Sequence, residues 1–185
     1  VYPLLPDESC CFLAADFDKK TWEYDSQAFL ETCRDLNVPA ALERSRSGNG
    51  SHVWIFFSEQ VSCYKSRRIG LELIRRAFNI SEFEKEVSFD RLFPNQDTLS
   101  KGGLGNLIAL PFQGKSVAQG NTVFIDLETG NPHLDQWKIL EEAKRYSVQE
   151  MDTVYQRLFM DKVDLSVPIM LTEKTLSICV RNQII

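Results

Sequence analysis

The stretch Cys10-Cys11-Phe12-Leu13-Ala14-Ala15-Asp16-Phe17-Asp18 is an apolar run that ends in two carboxylates. Its length and the charge on either side predict a buried strand over Cys10–Phe17. Successive side chains of a strand alternate faces, so Asp16 and Asp18 project together from its end. Two carboxylates that close repel unless a cation neutralises them. Hard oxygen ligands of this kind suit magnesium or manganese. The same residues also suit two surface aspartates that open a turn, and Asp-x-Asp alone does not choose.

Two further signals lie downstream. Ser47-Gly48-Asn49-Gly50-Ser51-His52 leads into Val53-Trp54-Ile55-Phe56-Phe57, and Asn-Gly between apolar runs predicts a hairpin joining strands at 40–44 and 53–57. Its glycines let backbone amides approach an anion, and His52 would turn its imidazole to the same anion. A plain turn beside a surface histidine fits so short a pattern too. Next, Val87–Phe89 predicts a short strand ending in Asp90. A polar loop from Arg91 to Gly105 follows, carrying Pro94-Asn95-Gln96-Asp97 and Lys101-Gly102-Gly103, and then a strand over Leu107–Leu110 stopped by Pro111. This suits a metal–phosphate site or a solvated loop. Thr122–Ile125 predicts one more strand, and Asp126 at its end matches Asp90 as a third carboxylate by local pattern.

Helices alternate irregularly with these strands. Asp25 or Ser26 is expected to cap a helix carrying Phe29, Cys33 and Leu36 on one face. Tyr64–Phe78 has amphipathic spacing, with Arg67, Arg68, Arg75 and Arg76 on its outer face, either solvated or tracking a nucleic-acid backbone. Asp135–Tyr146 reads as helical, and Ser147 with Glu150 forms a capping box for a helix to about Phe159. The mixture predicts an α+β class.

The 185 residues, 43% hydrophobic and 25% charged, suit one globular domain with a core at about 10–145 and a helical appendage at about 146–185. No apolar stretch nears the roughly 20 residues of a membrane helix, so no membrane association is expected. The start at Val1-Tyr2-Pro3 lacks an initiator Met, as expected of a piece of a longer polypeptide. A formal net charge of −5 excludes a surface that binds nucleic acid everywhere, while leaving a basic groove open. The five cysteines, Cys10, Cys11, Cys33, Cys63 and Cys179, contain no paired zinc-ligand spacing. Cys10, Cys11 and Cys33 read as free buried thiols, and a reducing cytoplasm fits them.

The ordered set resembles the catalytic core of the archaeo-eukaryotic primase superfamily: strand with Asp-x-Asp, Ser-Gly-x-Gly-x-His entering a strand, hydrophobic-Asp, Lys/Gly loop, and strand ending in Pro. It is similar above all to the primase domains of TOTE conflict systems and of CRISPR-associated primase-polymerases. Phe12–Asp18, Ser88–Asp97 and Gly105–Pro111 carry that closer likeness, which spans roughly residues 10–140. One departure stands out. Many members place Ser two residues before the histidine, where this chain has Gly50, with Ser47 further upstream.

The resemblance implies a core of mixed or antiparallel sheets flanked by helices, and a template-directed DNA/RNA primase-polymerase acting on single-stranded or primed DNA. It implies two divalent ions, Mg2+ or Mn2+, held by Asp16, Asp18 and Asp90, one activating the attacking 3′-hydroxyl and the other stabilising pyrophosphate. It also implies nucleoside triphosphate contacts from Ser47, Gly48, Gly50, His52, Arg91 and Lys101. The superfamily order selects Asp90 over Asp126, because Asp90 precedes Lys101 and Pro111. A helicase, a nuclease or a CRISPR adaptation protein is the neighbour it implies. The alternatives are a nucleic-acid or nucleotide-binding module that lacks catalysis within a defence or replication protein, and metal–nucleotide binding for glycosyl transfer.

Overall fold

From Phe12 onward, strand β1 (Ser9–Asp18) sorts its side chains by alternation, and the rest of the fold follows that sorting. The computed structural model of the chain describes residues 1–78, 88–101 and 103–159. Its other strands are β2 (Ala41–Arg44), β3 (Gly50–Ser62), β4 (Phe89–Phe93) and β5 (Arg145–Tyr146). The helices are α1 (Trp22–Asp35), α2 (Cys63–Ala77), α3 (Gly114–Val117), α4 (Gln136–Glu142) and α5 (Val148–Phe159). Among the described residues they form a five-stranded sheet in the order β2-β3-β1-β4. Its neighbours run antiparallel, and β5 joins β3 in parallel. The class is α+β.

One face of the sheet carries Leu13, Ala15 and Phe17 from β1 and Val53, Ile55 and Phe57 from β3. These pack on Phe29 and Cys33 of α1, Ile69, Leu73 and Ile74 of α2, and Met151, Val154 and Leu158 of α5. The opposite face carries a smaller cluster of Ala14, Trp54, Phe93, Ile108 and Phe124. Asp16, Asp18 and His52 continue this second face beyond the apolar cluster.

The structure departs from the sequence pattern at several places. Helix α1 begins at Trp22 rather than at Asp25 or Ser26, because buried Trp22 extends the apolar face of Ser26, Phe29 and Cys33 by one turn. The Asp25 carboxylate instead accepts from the Thr21 hydroxyl and, at 2.8 Å, from the Ser88 amide that leads into β4. Leu107–Leu110 is irregular, with Ile108 buried and both leucines exposed; Ile108 exchanges backbone hydrogen bonds with Val1. Thr122–Ile125 runs along β2 through one isolated bridge, Glu43 to Phe124, and backbone hydrogen bonds to Leu42 and Arg44, and not as a strand. Helix α4 stops at Glu142, and Arg145–Tyr146 is strand, since Tyr146 buries its ring and donates its hydroxyl hydrogen bond to the Asn37 carbonyl. Cys11 is exposed while Cys10, Cys33 and Cys63 are buried; the register irregularity of β1 between Cys10 and Phe12 puts Cys10 in the same cluster as Leu13 and leaves Cys11 outside.

The capping box of α5 forms as its pattern predicts: the Glu150 amide donates to the Ser147 hydroxyl, and the Ser147 amide donates to the Glu150 carboxylate. The core boundary expected near 145 falls just before α5, whose buried face belongs to the larger cluster. Val87, Cys179 and residues 160–185 of the expected appendage lie outside the described residues.

Phe17, fully buried between two aspartates, packs against the rings of Phe29, Phe78 and Phe89 at centroid distances of 5.7, 6.4 and 5.9 Å. Phe17→Ala should therefore lower unfolding free energy by about 3–5 kcal/mol through lost burial and the cavity left behind. Urea unfolding with an unchanged slope and a lower midpoint is the expected result; a midpoint equal to the parent's would contradict this packing.

Candidate metal and nucleotide site

The site assembles at the ends of β1, β3 and β4. Asp16 lies opposite His52 of β3 and opposite Arg91 of β4, and Asp18 lies opposite Gly50. Ligand oxygens of Asp16, Asp18 and Asp90 all fall within 4.8 Å of one another. Asp16 is partly buried, and Asp18 and Asp90 are exposed.

Asp90 does not end its strand, as the pattern predicts, but lies within it. The β1–β4 register runs Asp16 to Arg91 and then Phe17 to Phe89, so Asp90 is the extra residue of a bulge. Phe89 and Leu92 can then both pack toward the helices, while Asp90 and Arg91 both stay on the carboxylate side. Asp126, the competing third carboxylate, is used by its own turn: its Oδ1 accepts from the Thr129 amide at 2.8 Å and from the Thr129 hydroxyl at 2.9 Å.

The turn before β3 approaches the carboxylates closely. Gly48 has φ +77°, and a Cβ at Gly50 would lie 2.6 Å from Asp18 Oδ1 and from the Phe17 carbonyl oxygen. Each glycine is thus required, one by backbone conformation and the other by contact. A serine Cβ at position 50 would meet Asp18 Oδ1. The Ser47 hydroxyl accepts from the Asn49 amide at 3.1 Å and contacts the Ser45 hydroxyl at 3.1 Å, so its bonds lie inside the turn.

His52 is buried, with Nε2 3.7 Å from Asp16 Oδ1 and Nδ1 3.0 Å from Glu43 Oε2. The same Glu43 oxygen accepts the Trp54 indole N–H at 2.6 Å. Glu43 escaped the sequence reading. Its signal was a carboxylate in a short strand, next to Arg44, and the hairpin register pairs it with His52.

The remaining basic residues are less well placed for a triphosphate. Arg91 donates to Asp90 at 2.5 Å. Lys101 is exposed in a turn, with no ion pair to the cluster among the described residues. The arginine face of α2 is largely committed: Arg67 pairs with Asp97, Arg75 and Arg76 pair with Glu72, and Arg68 lies over the rings of Tyr64 and Phe159. A cleft of about 610 Å³ lined by Leu42, Trp54, Phe56, Phe124, Arg34 and Lys144 shares Trp54 with the site but contains none of the carboxylates.

Among families of known proteins, the archaeo-eukaryotic primase domain of the TOTE conflict system matches residues 1–154. The chain belongs to this family. The match covers every described element through most of α5, and it contains all of the site residues. Among curated proteins the chain finds no match. No helix among the described residues is long and apolar enough to cross a membrane.

The electrostatics of this primase domain suit a cation. Burial pushes the Asp16 carboxyl up to about 6; the charges of Asp18 and Asp90 add to the rise, while His52 and Arg91 oppose it. For His52, burial acts downward, but the Glu43 hydrogen bond and the charges of Glu43, Asp16 and Asp18 outweigh it and shift the imidazole above its ordinary range. Three hard oxygen donors that repel one another fit a divalent ion.

Both raised groups hold their protons more tightly folded than unfolded. Their stabilising contribution is complete near pH 4 and is lost as pH rises through 6 and then through the His52 range. A divalent cation competes with those protons, so its stabilisation should grow over the same window. Millimolar Mn2+ should raise Tm by several degrees at pH 8 and by little at pH 5, given about 2–4 °C per kcal/mol for a chain of this size. Equal shifts at both values, or none at pH 8, would count against a cation at the three carboxylates.

Proposed function

We propose that this domain is a template-directed primase-polymerase, joining nucleoside triphosphates into a strand complementary to single-stranded or primed DNA. The observation that carries the reading is the gathering of Asp16, Asp18 and Asp90 within 4.8 Å, with His52 Nε2 at their edge. Membership in a family of primase domains supports it. On this reading the three carboxylates hold two divalent ions, Mg2+ or Mn2+. Such ions, when bound, supply Lewis-acid stabilisation of the charge that develops on the attacking and leaving oxygens.

The chain's own groups set the geometry around them. The Ser47–Gly50 turn offers backbone close to the carboxylates, and His52 Nε2 supplies a side-chain contact for a phosphate oxygen. Arg91 and Lys101 are further phosphate contacts in this reading, Arg91 by exchanging Asp90 for an incoming phosphate. The template would lie across the exposed side of the carboxylates, on the sheet face away from α1 and α2. A helicase, nuclease or CRISPR adaptation neighbour and a cytoplasmic setting complete the proposal.

The test is primer extension with labelled nucleotides, a primed single strand and Mg2+ or Mn2+. Asp16→Ala with Asp18→Ala should reduce incorporation beyond about 10³-fold, roughly 4 kcal/mol of barrier. Since the carboxylates repel, the metal-free variant should melt no lower than the parent. Extension by the double variant at the parent rate would refute the mechanism. Template binding by the parent without incorporation would favour a binding module instead.

A further inference from the structure

Glu43 is a carboxylate 1% exposed to solvent, on a short strand whose other residues serve packing and pairing. Burying a charge is costly unless hydrogen bonds compensate it, and an apolar residue of similar volume commonly serves stability as well or better. The compensation here is specific. Both donors, His52 Nδ1–H at 3.0 Å and Trp54 Nε1–H at 2.6 Å, converge on the same oxygen, Oε2. An ionised carboxylate only accepts, so the shared proton is carried by Nδ1. Nε2 is then the nitrogen left for other partners, and it points toward Asp16 Oδ1 at 3.7 Å.

The ring is held from other directions as well. Trp54 lies edge-on to His52 at 5.9 Å with an interplanar angle of 83°. The Glu43 backbone is fixed on both sides, paired to His52 of β3 and bridged to Phe124. Imidazole has two nitrogens, and the hydrogen bond at one decides what the other presents. A rigid acceptor behind a functional imidazole is how such rings are commonly oriented.

We propose that Glu43 is a positioning residue, holding the His52 ring through Nδ1 so that Nε2 faces the carboxylate cluster and the phosphates of a nucleoside triphosphate. The proposal rests on the triphosphate reading of the site for its ligand, but not on polymerisation. Trp54 is the second support, since its indole N–H fixes the same carboxylate oxygen. A cleft ligand that displaced Trp54 would disturb this support without touching the carboxylates.

Three measurements test it: the ¹H–¹⁵N spectrum of the His52 ring, equilibrium binding of ATP with Mg2+, and KM against kcat in extension. The parent should show an exchange-protected Nδ1–H. Glu43→Ala should lose that protection and weaken ATP binding about tenfold, the scale at which orienting partners commonly act. The loss should fall mainly on KM. Glu43→Gln, whose amide oxygen can accept both donors, should restore protection and bind ATP within about threefold of the parent. In a His52→Ala background, Glu43→Ala should have no further effect on ATP affinity. A full additional loss there would show that Glu43 acts on stability alone and would overturn the proposal. A parent His52 without a protected Nδ1–H would overturn it too, with no variant needed to fold. ATP binding that follows these expectations without any extension would defeat the polymerase reading and leave the positioning role standing.

Discussion

Three carboxylates that repel one another are kept together because the residues between them are pinned in a core. Phe17 separates Asp16 from Asp18 and is wholly buried among rings from α1 and β4, so β1 cannot rotate to part its charges without emptying that core. The apolar face stabilises the fold, and the repulsion is a local cost drawn from it. A cation bound there would turn that cost into attraction, while the packing of the helices behind the sheet offsets the repulsion.

The same sheet sets the histidine. The turn at Gly48 and Gly50 folds β3 back so closely that Asp18 and the turn backbone nearly touch, and the register that follows brings His52 opposite both Asp16 and Glu43. Two registers, that of the β2–β3 hairpin and that of β1 against β3, therefore fix the row carboxylate, imidazole, carboxylate. A shift by one residue would turn His52 into the helical core and Val53 to the site.

Much of this was legible from the chain because it depends on period-two spacing and on turn chemistry. The shared face of Asp16 and Asp18 at a strand end and the Asn-Gly turn needed only local patterns, though Asp-x-Asp alone did not choose between a metal pair and surface aspartates, and the amphipathic α2 needed only helical spacing. Glu43 was not legible alone, because a carboxylate beside Arg44 in a four-residue strand has no periodicity to betray it; its place beside His52 appears only when β2 is registered against β3. The strand expected at Leu107–Leu110 failed because Leu107 and Leu110 face outward, and the hydrogen bonds of Ile108 to Val1 are not extended into a ladder among the described residues. The start of α1 was missed because tryptophan burial, not a capping side chain, decides it. The choice of Asp90 over Asp126 came from chain order in a family, and the structure gives its local reason: the Asp126 carboxylate is already bound by Thr129.

The bulge in β4 makes the third carboxylate a matter of counting rather than of chemistry. Because one surplus residue lets Phe89 and Leu92 both reach the core, their spacing of three encodes the site as firmly as the aspartate does. Losing a single residue from this strand would restore regular alternation at the expense of either the aromatic contact with Phe17 or the reach of Asp90. Every position of β4 is thus tied to core or site, and an insertion or deletion of one residue there strikes both together.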